Sequence, residues 1–131
     1  MLRVESPLSP ETEGIVSECI GVAIDVHREL GAGFKELIYQ RAYCLELDSR
    51  GISFESEKPV LVNYRHWQIP GQRLDLVVAG EVLIEIKAVP RIKDVHHSQV
   101  KSYLRATGLR IGLLFNFNER LLKNGMRRVV V

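Results

Sequence analysis

Residues 73–88 place three charges inside two apolar runs, Arg73-Leu74-Asp75-Leu76-Val77-Val78 and Val82-Leu83-Ile84-Glu85-Ile86-Lys87-Ala88, joined tightly around Gly80. Both runs have the composition of strands packed on two faces. Removing an unpaired charge from water costs several kcal/mol, roughly, so such strands normally exclude Asp, Glu and Lys. Side chains alternate along a strand, which puts Glu85 and Lys87 on one face and Ile84 and Ile86 on the other. Asp75 joins them only if the hairpin has the right parity. A three-residue loop, Ala79-Gly80-Glu81, sets Asp75 opposite Glu85. A two-residue loop puts the carboxylates on opposite faces unless a bulge restores the phase. The spacing therefore predicts the odd loop or a bulge.

Two carboxylates held together repel unless a cation lies between them. Oxygen ligands with room for water suit Mg²⁺ or Mn²⁺ better than zinc. The backbone carbonyl of Ile86 is a further candidate ligand. A metal there would polarise a phosphoryl oxygen and activate a water, with Lys87 orienting that water or stabilising charge on the phosphate. The competing reading is structural: Lys87 bridges Asp75 or Glu85 and ties a sheet edge.

Around this hairpin the chain reads as one α/β domain with a mixed sheet. Ser9-Pro10 opens a first helix, with Ile15, Cys19, Val22, Val26 and Leu30 on one face, closed at Gly31-Ala32-Gly33. A second helix runs from about Phe34 to Arg50, with Leu37, Ile38, Ala42 and Leu45 as its buried side. Strand character begins after Ile52, where Val60, Val62 and Tyr64 alternate and Pro59 marks an edge. A third helix spans Val95 to Thr107 and stops at Gly108. Ile111–Phe115 is an apolar run of central-strand type, and Arg127–Val131 is a last short strand. Residues 1–9 are expected to be a flexible lead.

Composition narrows the function classes. The 131 residues are 46% hydrophobic and 26% charged, enough for a self-sufficient core. No run reaches the roughly 20 apolar residues of a membrane span, and the N-terminal residues lack a signal-peptide pattern, so the cytoplasm is the expected location. Cys19 and Cys44 have no partner at metal-ligand spacing and are read as buried apolar residues. A net charge of +2 does not by itself indicate nucleic acid. Lys87, Arg91, Lys93, Lys101 and Arg105, with His96 and His97, nevertheless form a local basic stretch suited either to phosphates or to a solvated helix face.

Asp75, nine intervening residues, then Glu85-x-Lys87 resembles the core of the PD-(D/E)xK, or restriction-endonuclease-like, nuclease superfamily. Gly33-Phe34-Lys35-Glu36-Leu37-Ile38-Tyr39 is similar to the signature of the bacterial GxxExxY family. Val26-His27, Leu30-Gly31, the run from Gln99 through Tyr103-Leu104-Arg105-Ala106-Thr107-Gly108, and Gly112–Phe117 extend that likeness over residues 13–131. Leu74 stands where the superfamily has its proline. The resemblance implies an αβββαβ core, a mixed sheet flanked by helices, with Glu36 as the acidic residue of the helix before the sheet and Gln99 completing the site. It implies a metal-dependent nuclease acting on nucleic acid, DNA in the first instance, with Asp75, Glu85, Lys87, Glu36 and Gln99 in catalysis and Asp75, Glu85, Glu36 and the Ile86 carbonyl around the metal.

Smaller readings accompany this one. Glu36 could instead serve the helix dipole at the start of the second helix. Tyr39 and Tyr103 read as packing residues with hydrogen-bonded hydroxyls. His96, Gln99 and Tyr103 form a stripe that either faces the site or docks the third helix, and His27 reads as structural. The alternative function is a silent nuclease-fold module binding nucleic acid or a protein, since fold does not guarantee activity. A nucleotide hydrolase is weaker, there being no phosphate-binding glycine loop. Cleaving both strands would favour a homodimer, with exposed apolar residues expected on the first helix.

Overall fold

The computed structural model describes residues 6–131. The elements run α1 (Pro10–Leu30), α2 (Glu36–Ser49), β1 (Phe54–Tyr64), β2 (Trp67–Val78), β3 (Val82–Lys87), α3 (Asp94–Thr107), β4 (Ile111–Asn116), a short 3₁₀ turn (Leu122–Gly125) and β5 (Met126–Val130). The five strands form one sheet in sequence order, antiparallel throughout except for β3 beside β4. That parallel pair needs a crossover, and α3 supplies it. The result is a mixed sheet with α1 and α2 on one face and α3 on the other, a restriction-endonuclease-like α/β fold.

Local signals set most boundaries. The Ser9 side chain accepts the Thr12 N–H at 3.1 Å, capping α1 with Pro10 at its first position. Gly108, at φ 76°, closes α3 in the left-handed conformation. Of the nine residues expected as a flexible lead, 1–5 lie outside the described residues. Residues 6–9 make specific contacts: Arg110 donates to the Pro7 carbonyl, and Leu8 packs against the core.

Two cores result. Cys19, Val22 and Val26 of α1 meet Leu76, Val78, Ile84, Ile86 and Phe115 from one sheet face. Val100 and Leu104 of α3 meet Leu74, Val77, Leu83 and Leu114 on the other. Fully burying one such side chain is worth about 1.5–3 kcal/mol. Gly112 allows α3 its close approach, since a Cβ there would lie 2.6 Å from Val100 Cγ1.

Three expectations need correction. The buried face of α2 is Tyr39, Tyr43 and Leu47, with Gln40, while Leu37, Ile38 and Leu45 are exposed and Ala42 is half-buried. The helix turns its tyrosines inward because both hydroxyls find backbone partners: Tyr39 donates to Gly31 O at 2.6 Å and Tyr43 to Cys19 O at 2.8 Å. No large apolar side chain of α1 is exposed; those expected there for self-association occur on α2 and on the β1–β2 hairpin. That hairpin is also longer than expected. β2 begins at Trp67, and the register slips by one between Val60 and Val62, where Gly71 at φ 118° takes up the extra residue on β2.

Candidate active site

The β2–β3 turn decides what meets at the site. Val78 pairs with Val82, Val77 with Leu83 and Leu76 with Ile84, leaving the three residues Ala79-Gly80-Glu81 as the loop. Ala79 and Gly80 both have positive φ, 53° and 70°. Continuing this register by one step sets Asp75 opposite Glu85, the odd-loop geometry that the sequence predicts. There the ladder stops, and the Ile86 N–H donates to Asp75 Oδ2 at 2.9 Å instead of to a β2 carbonyl.

Glu85 is only 5% exposed, while Asp75 and Lys87 are half-buried. Burial pushes the Glu85 carboxyl up to about 9. A hydrogen bond to Asp75 and repulsion from it add to the rise; Lys87 opposes them, and Glu36 contributes a further small push upward. Neither Asp75 nor Glu85 forms an ion pair with Lys87 within 4.0 Å among the described residues, so the salt-bridge reading of this cluster is not realised.

Glu36 stands at the first position of α2, exposed, without a capping hydrogen bond from its neighbour Lys35. Partial desolvation raises its pKa first and repulsion from Asp75 second, with Lys87 pulling it back, so its carboxyl lies within the field of the β2–β3 charges. The turn that delivers it is fixed by Tyr39, whose hydroxyl accepts the Phe34 N–H at 3.1 Å while donating to Gly31. Tyr39 also stacks on Phe117 at 4.8 Å.

The stripe on α3 faces the same centre. The Tyr103 hydroxyl is raised by burial first and then by the Glu85 charge, and His96 is lowered by burial first and then by Lys87. Gln99 lies between them on that helical face. His96 also accepts the Lys93 N–H at 2.9 Å through Nδ1, helping to cap the helix. His27 is structural, with Nε2 2.8 Å from Glu119 O. Burial raises both thiols, Cys19 to about 12, which disfavours their thiolate forms.

Asn116 is the functional-region residue that the sequence reading passed over. Fully buried at the end of β4, it accepts the Val89 N–H at 3.0 Å and donates to the Val89 carbonyl at 2.9 Å. This amide pairs with the chain just after Lys87 as a neighbouring strand would. Its place at the end of an apolar run was the available signal.

The donor chemistry fits a hard divalent cation. Among the described residues two buried side-chain polar atoms lack a partner, Oε2 of Glu85 and Oε1 of Gln99 on the α3 stripe. Among the described residues no three His, Cys, Asp or Glu side chains stand close enough to cage a metal by themselves. The gathered carboxylates are the pair Asp75 and Glu85, with Glu36 farther out. Such a set leaves room for water and phosphate oxygens, as Mg²⁺ and Mn²⁺ sites do.

Among the described residues no helix is long and apolar enough to cross a membrane. No curated protein and no solved structure matches the chain. A family model described as the PD-(D/E)XK nuclease superfamily matches residues 13–129, a span that runs from the first turn of α1 into β5 and includes Glu36, Asp75, Glu85, Lys87 and Gln99. With its mixed sheet, its Asp75…Glu85-x-Lys87 hairpin and this match over most of its length, the chain belongs to the PD-(D/E)XK nuclease superfamily.

Proposed function

We propose that this protein is a metal-dependent nuclease that hydrolyses phosphodiester bonds, with DNA as its first substrate class, and that it belongs to the GxxExxY branch of the superfamily. The observation that carries this reading is the Glu85 carboxyl: buried, with one oxygen unpartnered, beside Asp75 and on the strand face of Lys87. A fold seeking only stability would place an apolar side chain there. The tract Gly33–Tyr39, exposed from Gly33 to Ile38 and anchored by the buried Tyr39, presents Glu36 to the same field and supports the narrower membership.

Asp75 and Glu85 would hold Mg²⁺ or Mn²⁺, with the Ile86 carbonyl and Glu36, directly or through water, completing the ligand set. The bound ion would supply Lewis acidity toward phosphate and a more acidic water. Lys87 positions the attacking water and stabilises charge on the phosphate oxygens. Gln99 offers its unpartnered Oε1 to hold that water in line. Glu85 must give up its proton before it can act as a ligand, so binding of the cation is coupled to proton release. Cutting both strands of a duplex requires two sites, and the exposed Leu37, Ile38 and Leu45 support a homodimer joined through α2.

The deciding experiment is cleavage of labelled single-stranded, duplex and branched DNA and RNA by wild type and Asp75→Ala, with Mg²⁺, Mn²⁺ or EDTA. Metal-dependent cutting that disappears in the variant is the expected result. Binding by both proteins with cutting by neither would replace the nuclease by a recognition module.

A further inference from the structure

The β1–β2 hairpin extends well beyond the core. Every residue from Leu61 to Gly71 is exposed, including Val62 at 40%, Tyr64 at 54%, Trp67 at 61% and Ile69 at 48%. Exposing this much apolar surface is unfavourable unless something covers it in use. Strand alternation puts Val62 and Tyr64 on the side of Val60, which packs beneath α3. The register then sets Trp67 opposite Tyr64 and Ile69 opposite Val62. The arm therefore carries one apolar, aromatic face, on the side of the sheet that α3 covers.

The tip concentrates the aromatic surface. The Tyr64 and Trp67 rings lie nearly parallel, 22° apart with centroids at 6.4 Å, and the Arg65 guanidinium sits 5.3 Å from the Tyr64 centroid. The charge is one-sided. From Lys58 to Leu74 the chain has Lys58, Arg65, Arg73 and His66 but no Asp or Glu. On the same face α3 adds Lys101 and Arg105.

We infer that this arm is a nucleic-acid clamp: unpaired bases of the substrate strand stack on Tyr64 and Trp67 while Arg65, Arg73 and the α3 cations follow its phosphates. The inference rests on the nucleic-acid reading of the site and adds where the substrate is gripped. Aromatic platforms interleaved with cations bind single strands without sequence preference, because every base offers a π face. A second copy of the chain fits the arm less well. Arm against arm would bring cations together with no acid on either arm to pair them, a costly juxtaposition.

Continuity with the site sets a length requirement. β2 carries both Trp67 and Asp75, eight residues apart. At ~3.3 Å per residue they are separated by roughly 25 Å. That distance corresponds to about seven nucleotides at ~3.4 Å each. A strand must reach that far beyond the scissile phosphate to engage the arm, so very short oligonucleotides lose its contribution.

Trp67 is the only tryptophan, so tryptophan fluorescence reads the arm alone. The test titrates full-length protein in EDTA with end-labelled single-stranded and blunt duplex oligonucleotides of increasing length, following label anisotropy and Trp67 emission together. The expected result is saturable quenching of Trp67 by single strands well beyond seven nucleotides, weakened by salt. Trp67→Ala and Tyr64→Ala should each weaken binding about tenfold, Trp67→Phe much less, all with unchanged circular dichroism. Binding seen by anisotropy with Trp67 silent and the variants binding normally would overturn the clamp and leave the nuclease proposal standing. No binding of any oligonucleotide in EDTA would likewise overturn the clamp, the nuclease reading being decided separately by the metal-dependent cleavage assay. A Trp67 shift that follows protein concentration alone, with a dimer in sedimentation, would assign the arm to a second copy instead.

Discussion

The carboxylate of Asp75 accepts the backbone N–H of Ile86, so a side chain of β2 satisfies the donor of β3 at the point where the two strands part. One residue thus ends the ladder and presents a carboxylate beside Glu85. Asp75→Ala removes both functions, leaving a part-buried donor unpaired at a cost of about 1–3 kcal/mol. Asp75→Asn retains a carbonyl acceptor for that donor and loses only the charge. The expected pattern is cleavage lost in both variants, with urea unfolding showing the stability loss chiefly in Asp75→Ala. Equal stability losses would show that the hydrogen bond is not what matters in the metal-free protein.

Glu85 ties stability to pH. Its folded pKa, about 9, lies above the value of 4.5 expected for a free glutamate. The folded state therefore holds this proton in a range where the unfolded state has released it, and stability falls as pH rises. The contribution is complete below about pH 4.5 and gone above about pH 9. In EDTA, thermal melts should show this decline, and Glu85→Gln should flatten it. Mg²⁺ should bind with release of a proton, visible as a buffer-dependent calorimetric enthalpy. A metal-free melting profile identical in wild type and Glu85→Gln across that range would refute the assignment.

Tyr39 and Tyr43 make separable predictions. Both are fully buried and both donate to a backbone carbonyl. Only Tyr39 also accepts from Phe34, fixing the turn that delivers Glu36. Each Tyr→Phe change should cost about 1–2 kcal/mol. Cleavage at saturating metal should drop several-fold in Tyr39→Phe and hold in Tyr43→Phe. Parallel losses of activity would dissociate the turn from the site.

Gly112 is where α3 meets β4 most closely. Gly112→Ala must displace Val100, the neighbour of Gln99, because the new Cβ would lie 2.6 Å from Val100 Cγ1. Overpacking of this kind costs about 1–3 kcal/mol. Pairing it with Val100→Ala should recover much of that loss in a double-mutant cycle. Additive effects would place the strain elsewhere.

The sequence made the hairpin legible because a three-residue offset and strict alternation allow few solutions. The helix ends at Gly31 and Gly108 were readable for the same reason, a backbone conformation that suits glycine. The face of α2 was not readable. Leu37, Ile38 and Leu45 outweigh two tyrosines by hydrophobicity, and only the third dimension shows that Gly31 and Cys19 offer carbonyls to the hydroxyls. The arm was hidden by Pro70-Gly71 and the polar residues around them, which read as a loop but form a bulge within one long strand. The unpartnered state of Gln99 and the grip of Asn116 on Val89 depend on packing across the sheet, which no local pattern in the sequence encodes.

That grip has a consequence for how the protein can change. Asn116 secures the chain at Val89, two residues beyond Lys87, with two hydrogen bonds that do not involve the loop that follows. Pro90 and Arg91, both exposed, can therefore be lengthened or rewritten while the lysine keeps its place. That loop can drift, or be engineered, without shifting the strand end that carries Lys87.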